Sequence, residues 1–184
     1  MAILSDQEIW SLLESGRLKI QPSPAADAVS PSTIDLRLDN DFVVFKQLGG
    51  SAAETLIDTR DSKAAMNALA DFTEKLLVPD GDYFPLKPGH FVLAWTRERV
   101  SMPNFLSARI EGRSTPARLG LSVHQSAPTV HPTFDNRLQL ELTNAGPFTL
   151  KLFPGHSICQ LIIETKSLPS VSSLVSVHQA PKTD

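Results

Sequence analysis

The chain has 184 residues, 41% hydrophobic and 20% charged, with a formal net charge of -3 and one cysteine. That length and balance suit one globular domain with a buried core, and the mild acidity gives no general attraction to nucleic acid or anionic membrane, so any phosphate recognition must rest on particular arginines or lysines. The lone Cys159 excludes an internal disulfide, and neither a leader nor a long apolar run is present, which predicts a cytoplasmic protein without a membrane partner.

Ser5-Asp6-Gln7-Glu8 has the Ser-x-x-Glu form in which two side chains satisfy each other's free backbone amides. Ile9, Leu12 and Leu13 follow at helical spacing, and Gly16 is suited to end the helix in a left-handed conformation. A short amphipathic helix is predicted there. From Ile20 to Pro31, IQPSPAADAVSP is too rich in Pro, Ala and Ser for regular structure, whereas in STIDLRLDNDFVVF the alternation of Ile34, Leu36 and Leu38 with polar residues predicts a strand with one buried face. The pair Gly49-Gly50 breaks this pattern. Beyond it SKAAMNALADFTEKLL, residues 62–77, carries Met66, Leu69, Ala70 and Phe72 at spacing that predicts a second helix.

From Tyr83 onward, eight short apolar runs are separated by Pro and Gly signals: YFPLKPG, HFVLAWT, RVSMP, FLSARIEG, LGLSVH, RLQLELTNAG, FTLKLFPG and SICQLIIET. They predict an all-β barrel or sandwich with small helices attached. Residues Ser167 to Asp184 read as a tail, partly ordered at best.

The familiar chemical motifs are absent. His90, His124, His131, His156 and His178 are scattered, and the His-x-Glu and Pro-Cys-x-x-Cys signature of zinc nucleobase deaminases is missing, so no zinc site is expected. Cys159 lies in the apolar run ICQLII and reads as a core residue rather than a nucleophile. No Gly-x-Ser-x-Gly, Walker lysine or Gly-x-Gly-x-x-Gly motif appears. What stands out is EGRSTPARLGLSVH, Glu111 to His124, where two guanidiniums and two hydroxyls sit between apolar flanks, Phe105, Leu106, Ile110, Leu119, Leu121 and Val123, that place this backbone in or beside the interior. In RLQLELTNAG the pleat puts Leu138, Leu140 and Leu142 on one face and Gln139, Glu141 and Thr143 on the other. A strand glutamate is, by itself, most often a solvated outer-face residue.

GRSTPARLGLSVH, the Pro-x-Phe turn after it and LQLELTNAGPFTLKLFPGHSICQLI together resemble the nucleotide-handling core of the dCTP deaminase and dUTPase superfamily, on the dCTP deaminase side. LSDQEIWSLLESGRLKIQP resembles that family's N-terminal helix and first turn, STIDLRLDNDFVVF its first strand, and YFPLKPGHFVLAWTRERVSMP the strands before the Gly-Arg-Ser motif, so the likeness covers most of residues 3–165. It implies a mainly β, distorted jelly-roll-like barrel of dUTPase type with short helices, one domain over residues 1–184, assembled as a homotrimer with active sites between subunits. It also implies roles. Arg113 and Ser114 contact phosphate, Thr115 stands where a second Ser is usual, Arg118 reaches the catalytic region, backbone near Ala127 reads the base edge, and Gln160 belongs to the substrate-binding set. Glu141 activates water for attack on C4 of cytosine without metal, helped by Ser114 and Arg118, converting dCTP to dUTP and ammonia; magnesium accompanies the triphosphate.

The chain also departs from that pattern. His131, within Val130-His131-Pro132-Thr133-Phe134, replaces the usual Asp and speaks against dUTPase chemistry. Pro116, Gln125 and Pro128 stand where Leu, Val or Thr, and a residue other than Pro are typical, and the tail lacks Tyr and Gly, with Lys182 its one lysine. Two further readings stay open: a nucleotide-binding trimer without catalysis, and a dUTPase-like diphosphohydrolase or purely structural trimer in which Arg113 and Arg118 bridge acids at an interface.

Overall fold

The structure is a computed structural model that describes residues 2–46 and 56–169. Helix α1 (Asp6–Glu14) begins where its capping chemistry dictates: Glu8 N–H donates to Ser5 Oγ at 3.4 Å, and Ser5 N–H donates to Glu8 Oε2 at 2.8 Å. Ile9 is buried, and Gly16, at φ +68°, turns the chain out of the helix.

The stretch expected to be irregular carries two short strands, β1 (Lys19–Gln21) and β2 (Val29–Ser30), around a single 3-10 turn at Ala26–Ala28. Neither strand is favoured by local composition. Each exists because a long neighbour offers it a ladder: β2 pairs with β3 (Thr33–Phe45), and β1 with β6 (Phe91–Ser101). In β3 the expected alternation holds, with Ile34, Leu36, Leu38 and Phe42 buried.

The second expected helix is cut short. Helix α2 (Ser62–Phe72) is capped by Asp61, whose Oδ1 accepts from Ala64 N–H at 2.9 Å, but residues 73–77 leave it to form β4 (Thr73–Leu77). That strand pairs antiparallel with Asp41–Phe45 of β3, so satisfaction of a sheet edge overrides the helix propensity of Glu74, Lys75 and the leucines. The pair Gly49-Gly50 lies outside the described residues.

The remaining strands are β5 (Phe84–Leu86), β7 (Leu106–Gly112), β8 (Leu121–Ser122), β9 (Thr129–Val130), β10 (Asp135–Asn144), β11 (Leu150–Leu152) and β12 (Ser157–Thr165), with a five-residue helix, α3 (Ser114–Arg118), between β7 and β8. HFVLAWT and RVSMP fuse into the single strand β6, and β9 arises where no strand was expected, paired to β7. The main sheet runs β8-β10-β6-β3-β12-β7-β9, with β1 paired to β6 and both β2 and β4 paired to β3 beside this path, and β5 and β11 form a separate pair. All pairings are antiparallel.

The fold is mainly β with short helices, as expected, and bulges give it curvature. Register shifts fall between Leu38 and Phe42, between Arg137 and Gln139, and between Ser157 and Cys159. At the second of these, the buried Thr96 hydroxyl accepts from Leu138 N–H at 3.0 Å and donates to the Glu98 carbonyl at 2.8 Å, so the ladder is broken without orphaning a buried amide. Glu98, itself buried, grips β3 through Arg37 Nε at 2.6 Å and Arg37 N–H at 2.8 Å.

One close approach fixes where α3 ends. A Cβ on Gly120 would lie 2.2 Å from Gly146 N, Gly120 itself has φ +99°, and Ala145 N–H donates to Gly120 O at 2.8 Å. The turn after β10 is held from its other side by the fully buried Asn144, whose Nδ2 donates to Leu86 O at 2.9 Å and Phe148 O at 2.7 Å. Gly120→Ala is therefore expected to lose about 1–3 kcal/mol of stability, read as a lower midpoint in urea unfolding with an unchanged slope.

Candidate functional site

Glu141 sits on β10 between β6 and β8. Leu138, Leu140 and Leu142 point into the core, and Glu141 and Thr143 stand on the opposite face, half-buried rather than freely solvated. The reason is the segment that follows β8. Val123 O accepts from Glu141 N–H at 3.1 Å, and two residues on, Gln125 N–H donates to Glu141 Oε2 at 2.9 Å. The Gln125 side-chain amide donates to Thr143 Oγ1 and, at 3.5 Å, to Glu141 O. Among the described residues, Glu141 Oε1 has no hydrogen-bond partner.

The Gly-Arg-Ser segment is the end of a strand running into a short helix rather than a simple turn. Arg113 occupies the N-cap position of α3 without a side-chain cap bond, Ser114 and Thr115 are exposed in its first turn, and Arg118 is exposed in its last, its side chain making no ion pair or hydrogen bond among the described residues; Leu119, expected beside the interior, is exposed because it follows the last turn of this surface helix. Arg113 is anchored. Its Nη2 lies 3.2 Å from Asp35 Oδ2, and its Nη1 donates to Ser157 O at 3.4 Å. The other oxygen of Asp35 accepts from Gln160 Nε2 at 3.0 Å, so Arg113 and Gln160 are held by one carboxylate.

Asp35 was missed in the sequence. Its polar place in TIDLRL marks it as facing away from Ile34 and Leu36, but the register that sets it opposite Gln160 is a property of the sheet. Ala127 is exposed in the loop between β8 and β9, and that loop is pinned to β7 by Ile110 N–H donating to Pro128 O at 2.9 Å. His131 is exposed.

Within one chain these residues form two groups. Arg113, Gln160 and Asp35 make the first; Glu141, Gln125 and Thr143 make the second. Between them, the residue before Arg113 lies near the Val123 side chain, since a Cβ on Gly112 would be 3.9 Å from Val123 Cγ2, and the Val123 carbonyl receives Glu141 N–H. No hydrogen bond or ion pair joins Glu141 to Arg113, Ser114 or Arg118 among the described residues. The Nδ1 atom of His124, beside Gln125, is buried with no hydrogen-bond partner among those residues. No group of three or more His, Cys, Asp or Glu among the described residues is placed to hold a metal ion. No helix among them is long and apolar enough to cross a membrane.

Comparison with known proteins matches residues 3–166 to the family described as dCTP deaminase-like. A relative from Methanobrevibacter smithii, named "dCTP deaminase, dUMP-forming", is 39% identical over 170 residues, which are 92% of this chain and 84% of that protein. Another, from Thermomicrobium roseum and named "dCTP deaminase", is 37% identical over 170 residues, covering 92% of this chain and 82% of its own. Among solved structures, the 2'-deoxycytidine 5'-triphosphate deaminase of Agrobacterium tumefaciens superposes with a TM-score of 0.66 at 19% identity, over 89% of this chain and 48% of that one. A mutant dUTPase from phage phi11 of S. aureus gives a TM-score of 0.51 at 11% identity over 88% of this chain and 99% of that one. At those identities the structures speak for the fold.

Cys159 has the place the sequence suggested. It is fully buried on β12, and burial pushes its thiol well above the ordinary range, with the Glu98 and Asp35 carboxylates adding to the effect. A protonated, enclosed thiol is no nucleophile. A disulfide-exchange reagent at pH 8 is expected to leave the native protein unlabelled and to label one thiol per chain once the protein is unfolded in guanidinium, where the thiol regains an ordinary pKa of about 8.5; rapid labelling of the native state is the contrary result.

Proposed function

Since the chain belongs to the dCTP deaminase-like family of nucleotide-acting hydrolases, we propose that it deaminates dCTP, with Glu141 as the group that activates water. The observation that carries this reading is a half-buried carboxylate with one oxygen fixed by a backbone N–H and the other without a partner among the described residues, on the face of β10 opposite the core. Water attacking C4 must lose a proton, ring N3 must gain one, and the amino group must leave as ammonia. A single carboxylate in a partly dry pocket can relay these protons in sequence. In this reading Ser114 and Arg118 hold the water and steady the carboxylate, backbone near Ala127 reads the base edge, and Arg113 and Gln160, braced by Asp35, face the nucleotide.

The guanidiniums supply paired donors for phosphate oxygens, which explains how a chain of net charge -3 can bind a triphosphate. Magnesium belongs to this reading as an ion carried by the phosphate oxygens, offsetting their charge. The site is proposed to be completed in a homotrimer. Arg118, exposed with its side chain unpartnered among the described residues, and Glu141, unjoined to it, are what one half of an intersubunit site presents. Free nucleotide substrates fit a cytoplasmic setting.

A second reading concerns the product. Relatives named dUMP-forming raise the case in which the bond between the α and β phosphates is also hydrolysed, so that dUMP and pyrophosphate leave in place of dUTP. His131, where an Asp is usual, is the residue of this chain that bears on that second step.

One incubation with dCTP separates the cases: ammonia alone indicates dUTP as product, equal ammonia and pyrophosphate indicate dUMP, and binding without either indicates a non-catalytic module. Glu141→Gln is expected to slow ammonia release by about a hundredfold to ten-thousandfold while nucleotide still binds, and Arg113→Ala to raise KM more than it lowers kcat. Chelating magnesium is expected to raise KM for dCTP. Undiminished ammonia release by Glu141→Gln would falsify the assignment of the base.

A further inference from the structure

We propose that Gln125 is a positioning residue that straps the face of β10 and thereby sets the direction of the Glu141 carboxylate. The inference rests on the reading of Glu141 as the base. Gln125 makes three contacts with two residues of one strand: its backbone N–H donates to Glu141 Oε2 at 2.9 Å, and its side-chain amide reaches Thr143 Oγ1 and the Glu141 carbonyl. The orientation of the amide is fixed by chemistry, since a backbone carbonyl can only accept and therefore requires the NH2 end.

Glu141 and Thr143 are two apart on a strand and so share a face, and Gln125 lies along that face. Its segment is tied at both ends, by Val123 O to Glu141 N–H at 3.1 Å and by Pro128 O to Ile110 N–H at 2.9 Å. Residue 125 itself is exposed, and the peptide that carries its N–H is braced from its other side by Ser122 Oγ, which donates to His124 O at 2.6 Å, so the Gln125 side chain adds the tie that runs along the strand face to Thr143. Thr143 is the anchor, because 3.5 Å to the carbonyl is at the limit of a hydrogen bond. With Oε2 occupied, Oε1 is the oxygen left to meet water. Val or Thr, the residues usual here in proteins this sequence resembles, would lack an amide that spans to Thr143.

The test compares Gln125→Ala, Thr143→Val, Thr143→Ser and the Gln125→Ala/Thr143→Val double variant, by ammonia release from dCTP and by exchange of the residue-125 amide proton in NMR. Gln125→Ala and Thr143→Val are each expected to lower kcat about ten- to a hundredfold with KM within about twofold and with faster amide exchange. Thr143→Ser, which keeps the hydroxyl, is expected to stay near wild type, and the double variant to be no worse than the poorer single one, the signature of two groups acting as one. A rise in KM alone would mean that Gln125 touches substrate and overturns the proposal, as would additive losses or an unchanged kcat. If the wild type releases ammonia and Gln125→Ala is as fast, the strap alone fails; if the wild type releases none from any deoxycytidine nucleotide, the functional reading fails and the inference falls with it.

Discussion

The packing of three leucines on β10 is the constraint from which the candidate site follows. Leu138, Leu140 and Leu142 are buried, and because successive side chains on a strand alternate, burying them forces Glu141 to the other face. A shift of one residue in register would exchange the two sets, placing a carboxylate in the core and a leucine where it stands now. The Thr96 hydroxyl, which takes Leu138 N–H at the bulge, holds that register where the ladder lapses. Position 141 is therefore as firmly specified as the core, although the residue itself contributes nothing to it.

A carboxylate on an outer face is ordinarily hydrated and mobile, and here the segment after β8 prevents that. The same segment follows α3, whose end is fixed by the backbone contact between Gly120 and Gly146. The arginine helix, the loop over Glu141 and the turn after β10 thus form one mechanically connected unit, without any of them being long enough to be stable alone. Charge is used as locally as packing: Asp35 holds Arg113, Glu98 holds Arg37, and Arg118 is left exposed. Paired guanidiniums tie strands together around the site, whereas the Arg118 guanidinium has no ion pair among the described residues.

Much of the fold was legible because it depends on local chemistry and on alternation. The capping box at Ser5 and Glu8, the left-handed Gly16, the buried Ile34, Leu36 and Leu38, and the outward Glu141 all follow from spacing alone. Resemblance added the barrel type and the membership of Arg113, Ser114 and Arg118 in one motif. Residues 73–77 were misread as helix because Glu, Lys and Leu favour one, and only the open edge of β3 makes them a strand. The strands β1, β2 and β9 were missed for the same reason, being too short to carry a signal of their own.

What the sequence determined by itself, then, was periodicity: which faces are apolar, where helices start, and that a polar cluster interrupts an apolar run. Those features are set within a few residues and need no partner. What tertiary structure alone decided was adjacency between distant segments: Asp35 shared by Arg113 and Gln160, Gln125 lying on Glu141 and Thr143, and Gly120 meeting Gly146. The physical reason is that a side chain's face is fixed by the pleat of its own strand, whereas its neighbours are fixed by register and by bulges between strands, which are chosen by the whole core at once.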